Sequence, residues 1–476
     1  MGAFNQPIIS YTDTTVGAMF FNITPSANEI NSVQVQELVA AAKERHKSAE
    51  ASHYYQELLF SFLNRHSTLF IHERCHIFQA IAYPYLYLRN LREWLFCYGI
   101  LKSFRDNSQS TFSLRNSVSE EWRATLHWPT WGLRVSIDDE GNHNQRLSDP
   151  NDPRDNDLTE NGLLEDEASI FQYKSEIGAE GSGKGYRRWT RETQRPRYST
   201  TFNFLARVLG EDNAYVALPA LVRAVFRTTR PLEIFASLVA TTVRWDVDWP
   251  AYIGIDKYYE WLLSALQQNP VLTRQLPDVS KPRDFDGNAY LDDNAFSELI
   301  KMSSGYPLYP LAQMLWQECN KDPLQPHWLF HPYTIFGRSE WNDEALEQYW
   351  PPIMIFRLLH PELSLNDAVL ISTELHQPSG GEPAEHSAQW TQGVYLEALN
   401  MKHLVYSLTT NFYDSYPHNC WHHDCPYFSP NLCRRWITIP KDFRQCQFPT
   451  YFQGITLHRI DIDAKKIIPI KVNGGM

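Results

Sequence analysis

Residues 70–79 read Phe-Ile-His-Glu-Arg-Cys-His-Ile-Phe-Gln, FIHERCHIFQ. At about 100° per residue, Ile71, Cys75, Phe78 and Ala82 point in one direction, so the stretch predicts an amphipathic helix. Ser67 suits the start of that helix and Pro84 forbids its continuation, which sets a span of 67–82. His72, His76 and Gln79 lie along one edge of the apolar stripe, and Arg74 lies along the other. Side chains four apart stand one turn above each other on a helix face. His72 and His76 therefore present two imidazoles to one point, where a buried face meets a cleft.

That pairing is a metal-ligand pattern. Zinc accepts imidazole nitrogen at roughly 2.0 to 2.1 Å, so one ion bridges both rings. Glu73, one position on, reaches a neighbouring direction and suits a general base beside the ion. The plain alternative is a core helix that happens to carry two histidines. A catalytic zinc needs a third protein ligand. The pattern H-E-x-x-H-x-x-G-x-x-H does not supply it, because position 79 is Gln and position 82 is Ala. A second helix, LLEDEASIFQ (163–172), carries acids beside an apolar stripe of Leu164, Ala168 and Phe171. Glu165 falls on one flank of that stripe and Glu167 on the other, and periodicity alone does not choose between them. Clustered acids on a helix are otherwise the mark of a solvated face.

HERCHIFQ followed by LLEDEA resembles the zincin metallopeptidases whose third ligand is a glutamate, the gluzincins. The likeness covers about thirty residues on two helices and identifies no subfamily. Many members carry L-x-E-G-x-A on the second helix; here Leu163, Glu165 and Ala168 match, with Asp166 where Gly is usual. Arg74 occupies a position that is usually uncharged. The resemblance implies a catalytic zinc on His72, His76 and Glu165, with Glu167 as second choice. It implies Glu73 as general base and later proton donor, and hydrolysis of a peptide bond. It also implies a Tyr or His that stabilises the transition state; Tyr173, Tyr186 and His127 qualify, and nothing selects one. The 89 positions from His76 to Glu165 are many for the group and imply an insertion, around 106–157.

The rest of the chain sets the context. It has 476 residues, 43% hydrophobic and 14% aromatic, enough for two or three domains with packed cores. The net charge of −12 argues against a nucleic-acid partner. No stretch reaches the ~18 to 20 apolar residues of a membrane helix, and the N-terminus has no signal-like pattern. Seven cysteines point to reduced thiols or metal ligands, and an intracellular, cytoplasmic location is expected.

The expected fold is mainly α (α+β), with zincin-like catalytic helices inside a larger helical chain and small β elements near both ends. Strands are predicted within 6–25 and in GITLHRIDIDAKKIIPIKV near the C-terminus, and a strand–turn–strand in 122–137. Helices are predicted at 33–50, 53–65, 67–82, 85–105 and 158–177, and through most of 200–360. The acidic stretch 138–157 and the run EGSGKGYRR (180–188) are predicted as loops. The latter lacks the G-x-x-x-x-G-K-[ST] spacing of a phosphate loop. The divisions expected are a catalytic region at 1–200, a helical region at 201–410 and a Cys/His-rich module at 411–476. Cys420, Cys425, Cys433 and Cys446 crowd the last of these beside His418, His422 and His423. Four thiolates suit a closed structural zinc site, although the spacing matches no standard finger, and buried reduced thiols are the alternative.

The expected partners are a protein or peptide substrate and, from the size of the non-catalytic remainder, a regulatory protein. Two other functions fit the same residues. A zincin scaffold without catalysis would use the aromatic-rich helical part, with 15 Trp and 25 Tyr in the chain, to bind a partner. A metal-bound water would equally cleave a non-peptide amide.

Overall fold

The computed structural model describes most of residues 8–93, 104–113, 132–148 and 157–269, together with short pieces of 353–372 and 453–470. Within these residues the chain is mainly helical, with nine helices and a few small strands. No helix among them is long and apolar enough to cross a membrane.

The N-terminal strands β1 (Ile8–Asp13) and β2 (Ala18–Ile23) form an antiparallel hairpin. Met19, Phe20, Phe21 and Ile23 of β2 are fully buried, the mark of a strand covered on both faces. Helices α1 (Val33–Glu44), α2 (Ala49–Leu63) and α3 (Ser67–Ala82) follow. The bounds of α3 are those expected from its stripe and from Pro84. The next predicted helix, 85–105, lies largely outside the described residues.

Short β3 (Phe112–Ser113) precedes a hairpin of β4 (Gly132–Ile137) and β5 (His143–Ser148), and β6 (Leu158–Thr159) pairs with the other side of β4. The acidic stretch is thus not all loop. Asp138 turns the chain: its Oδ1 accepts from the amides of Glu140 and Asn142, at 3.0 and 2.8 Å. Gly141 takes the positive φ of 76° that the turn requires. The strand it returns is polar and almost wholly exposed, so no alternation advertised it.

Helix α4 (Glu160–Ile177) carries the predicted second acidic motif. After it, EGSGKGYRR is not a flexible loop but the start of α5 (Gly183–Glu192), with the Ser182 hydroxyl accepting from Gly185 N at 3.1 Å. The glycines serve close packing. A Cβ at Gly183 would meet the Glu211 carbonyl oxygen at 2.0 Å, and one at Gly185 would meet the Tyr173 hydroxyl at 2.0 Å.

Helices α6 (Thr200–Leu209), α7 (Glu211–Val225), α8 (Pro231–Trp245) and α9 (Trp249–Gln268) complete the helical body. α7 is buried on nearly every side, as an all-round apolar helix must be, and α4, α5, α6, α8 and α9 all pack against it. α9 is two segments joined at Gly254, whose φ of 81° lies in the left-handed region.

The helical reading of 200–360 fails at its end. β7 (Ile353–Leu358) is a strand that pairs parallel to β2, with Met19 opposite Met354 and Phe21 opposite Phe356, and β8 (Val369–Ser372) pairs with its far side. Phe21 and Phe356 stack with centroids 5.3 Å apart. The sheet order is β1-β2-β7-β8, so among the described residues β1 is an edge strand, and it packs against α3. β9 (His458–Asp461) and β10 (Lys466–Pro469) are the strands expected near the C-terminus, and they pair as an antiparallel hairpin joined by β3.

Candidate metal centre

α3 and α4 pack side by side, and β1 lies against α3. The α3 stripe meets α4 through a small buried cluster of Cys75, Ala168 and Phe171, with Ile71 at its edge. That contact fixes the rotation of each helix. It turns His72 and His76 toward Glu165, and it turns Glu167 the other way.

His72, His76 and Glu165 converge. His72 Nε2 is 3.3 Å from His76 Nε2 and 3.1 Å from Glu165 Oε2. His76 Nε2 is 3.5 Å from Glu165 Oε1. The two histidines are buried and Glu165 is half-buried. Among the described residues this is the one cluster of three or more His, Cys, Asp or Glu side chains spaced to hold a metal ion. The spacing fits a small tetrahedral ion, because ligands at about 2.0 to 2.1 Å from a common centre stand ~3.3 Å apart. Two imidazoles and a carboxylate are also a donor set that zinc takes.

The charges are mutually supporting. Burial opposes a charged ring at His76, but the Glu165 carboxylate outweighs it and raises His76 to about 9. Burial likewise works against the Glu165 carboxylate, yet the two imidazoles hold it well below the usual carboxylate range.

Glu73 is buried beside this group. The Thr12 hydroxyl, from edge strand β1, lies 2.7 Å from Glu73 Oε2 and 3.0 Å from the Glu73 carbonyl oxygen.

Glu167, the second choice for third ligand, is fully buried in a different network. Its carboxylate accepts from the Tyr83 hydroxyl at 2.6 Å, from Gln79 Nε2 at 2.9 Å and from Arg223 Nε at 3.1 Å. The Arg223 guanidinium is itself buried, lying 5.7 Å from the ring centroid of Phe78 and 5.9 Å from that of Phe171. Gln79 also donates to the Leu164 carbonyl at 3.0 Å, and its Oε1 is 2.8 Å from His76 Nδ1. Burial, and then the Glu167 charge, push the Cys75 thiol and the Tyr83 phenol well above their ordinary values.

Asp166, which stands where Gly is usual, has a structural task. Its Oδ2 accepts from the amides of Thr201 and Phe202, at 2.6 and 3.0 Å, so it caps α6 from a neighbouring helix. Burial raises its carboxyl to about 7 against the pull of those two amides.

Tyr173 and Tyr186 are buried in an aromatic cluster with Trp189 and Tyr215. They pack there against each other and against Trp189 and Tyr215. His127 and the cysteines at 420, 425, 433 and 446 lie outside the described residues. No family model, no curated protein and no solved structure matches the chain.

Sequence reasoning missed Thr12, Tyr83 and Arg223. Thr12 carries no signal, because its contact is set by how β1 lies on α3. Arg223 does carry one: an arginine inside the apolar run ALPALVRAVF needs a buried anion.

Proposed function

We propose that the chain is a zinc-dependent hydrolase that cleaves a peptide bond, with His72, His76 and Glu165 holding the ion. One observation carries the reading: three donor groups of the right chemistry stand 3.1 to 3.5 Å apart across two helices. The preference for a peptide over another amide rests on the likeness of HERCHIFQ and LLEDEA to the gluzincins.

A zinc ion held there supplies a Lewis acid and a bound water acidified to near neutral pH. The chain's own groups do the remainder. His72 and His76 give neutral nitrogens and Glu165 gives one negative charge, so the set leaves the ion net positive. Glu73, the next side chain on α3, accepts a proton at its carboxylate and returns it to the leaving amine. Thr12 holds one oxygen of that carboxylate and so limits the directions from which the proton arrives.

Metal content and cleavage of a pool of fluorescence-quenched peptides test this together. The unaltered chain should hold about one zinc, and His72→Ala should lose it. Glu73→Gln should keep zinc and lose cleavage by about 10²-fold or more. Equal cleavage by Glu73→Gln and the unaltered chain would overturn the role given to Glu73, and no cleavage by the zinc-loaded unaltered chain would overturn the hydrolase reading and favour a metal-bearing interaction protein.

A further inference from the structure

Gln79 sits one turn beyond His76, on the side away from the three converging donors. Its amide has an orientation that its neighbours dictate. The Leu164 carbonyl can only accept a hydrogen bond, and it lies 3.0 Å from one end of the Gln79 amide. That end must therefore be the NH₂. Its second hydrogen goes to Glu167 Oε2 at 2.9 Å. Both donors are then used, and the other end of the amide is an oxygen 2.8 Å from His76 Nδ1. An amide oxygen cannot donate, so His76 Nδ1 must carry the hydrogen. The lone pair of the neutral ring is left on Nε2, the nitrogen that faces His72 and Glu165.

Gln79 is in turn held from behind. Glu167, which takes its second hydrogen, is paired with buried Arg223. The chain Arg223–Glu167–Gln79–His76 runs from α7 through α4 to α3. A glutamine between the buried carboxylate and the imidazole keeps the full negative charge one group away from the ring.

We infer that Gln79 is a positioning residue for the metal centre: it fixes His76 in the tautomer that offers Nε2 to the ion. The inference rests on the zinc site proposed above. It extends that site by a residue that touches neither ion nor substrate. Partners of this kind typically change metal affinity 10- to 100-fold when removed.

Zinc affinity, measured by competition with a chromophoric chelator, provides the test, with Tyr83→Phe as the control. Tyr83→Phe removes a donor from the same Glu167 without touching His76. Gln79→Leu should weaken zinc about 10- to 100-fold, and Tyr83→Phe should change it less than about threefold. Equal weakening by both, or an unchanged affinity in Gln79→Leu, overturns the assignment.

Long-range nitrogen–proton NMR of the unaltered, histidine-labelled chain needs no variant to fold. It should find His76 protonated at Nδ1, both with zinc bound and in the zinc-free chain at alkaline pH. Protonation at Nε2 overturns the inference. Failure of the unaltered chain to take up zinc overturns the metal proposal instead, and the alkaline tautomer then decides the Gln79 contact by itself.

Discussion

Thr12 reaches from edge strand β1 to Glu73 on α3, its hydroxyl 2.7 Å from Oε2. The residues are 61 positions apart, and the contact joins the N-terminal sheet to the helix that carries both histidines. A proton acceptor works only when its oxygen is aimed, and small misplacements cost rate steeply. Thr12→Val should leave zinc content unchanged and lower cleavage by about tenfold, while Thr12→Ser restores most of it. Loss of zinc in Thr12→Val would show that the strand supports the ligands instead of Glu73.

Glu165 and Glu167 are two positions apart and should respond oppositely to the same change. Glu165→Gln removes a proposed ligand and should abolish tight zinc binding, while costing the zinc-free chain only the pH-dependent stability of the pair with His76. Glu167→Gln leaves the Arg223 guanidinium buried without its carboxylate, a change that costs about 3–5 kcal/mol. It should appear as a lower denaturant midpoint before any metal is added. Arg223→Met should destabilise similarly, and the double variant should recover part of the loss, because it removes both charges.

The zinc-free site should make stability depend on pH. His76 is raised from 6.5 to about 9 by Glu165 against the effect of burial, so its contribution is complete below pH 6.5 and is lost as the pH climbs through 9. Glu165 is lowered from 4.5, so its contribution is present above that value and falls away in more acid solution. Denaturant midpoints of the zinc-free chain should thus decline between pH 6.5 and about 9. Zinc must displace the His76 proton, so its affinity should climb over the same range. A zinc affinity that is flat across that window contradicts the coupling.

Gly183 tests the packing of the glycine-rich run. Its Cβ would meet the backbone of Glu211, which cannot rotate away. Gly183→Ala should destabilise the chain by about 1–3 kcal/mol, read from its thermal transition. Inorganic phosphate should give no protection, because the glycines serve contact between α5 and α7.

The parts legible in the sequence are those whose cause is local. α3 is bounded by its own stripe and by Pro84, and strands near both ends are marked by β-branched alternation, although not their pairing into hairpins. Gln79 was already visible on the edge that holds His72 and His76. The choice between Glu165 and Glu167 was not legible, because both flank the same stripe. It is made by the rotation at which Cys75 meets Ala168 and Phe171, and by Arg223, which draws Glu167 away. β7 was read as helix because its pairing with β2 is remote in sequence. β5 was missed because an exposed polar strand has no buried face to mark it. The glycines at 183 and 185 were read as freedom where they mark contact, since what a glycine touches is written elsewhere in the chain.

The parallel pairing of β2 with β7 sets an order of assembly during synthesis. A nascent chain has α3 and α4 outside the ribosome long before residues 353–358 are made. At about 5–20 residues per second the delay is on the order of ten seconds or more. On the zinc proposal, the growing polypeptide should therefore capture its ion before β7 anchors the sheet that carries Thr12. Ribosome-stalled chains that end before β7 should take up zinc yet cleave poorly.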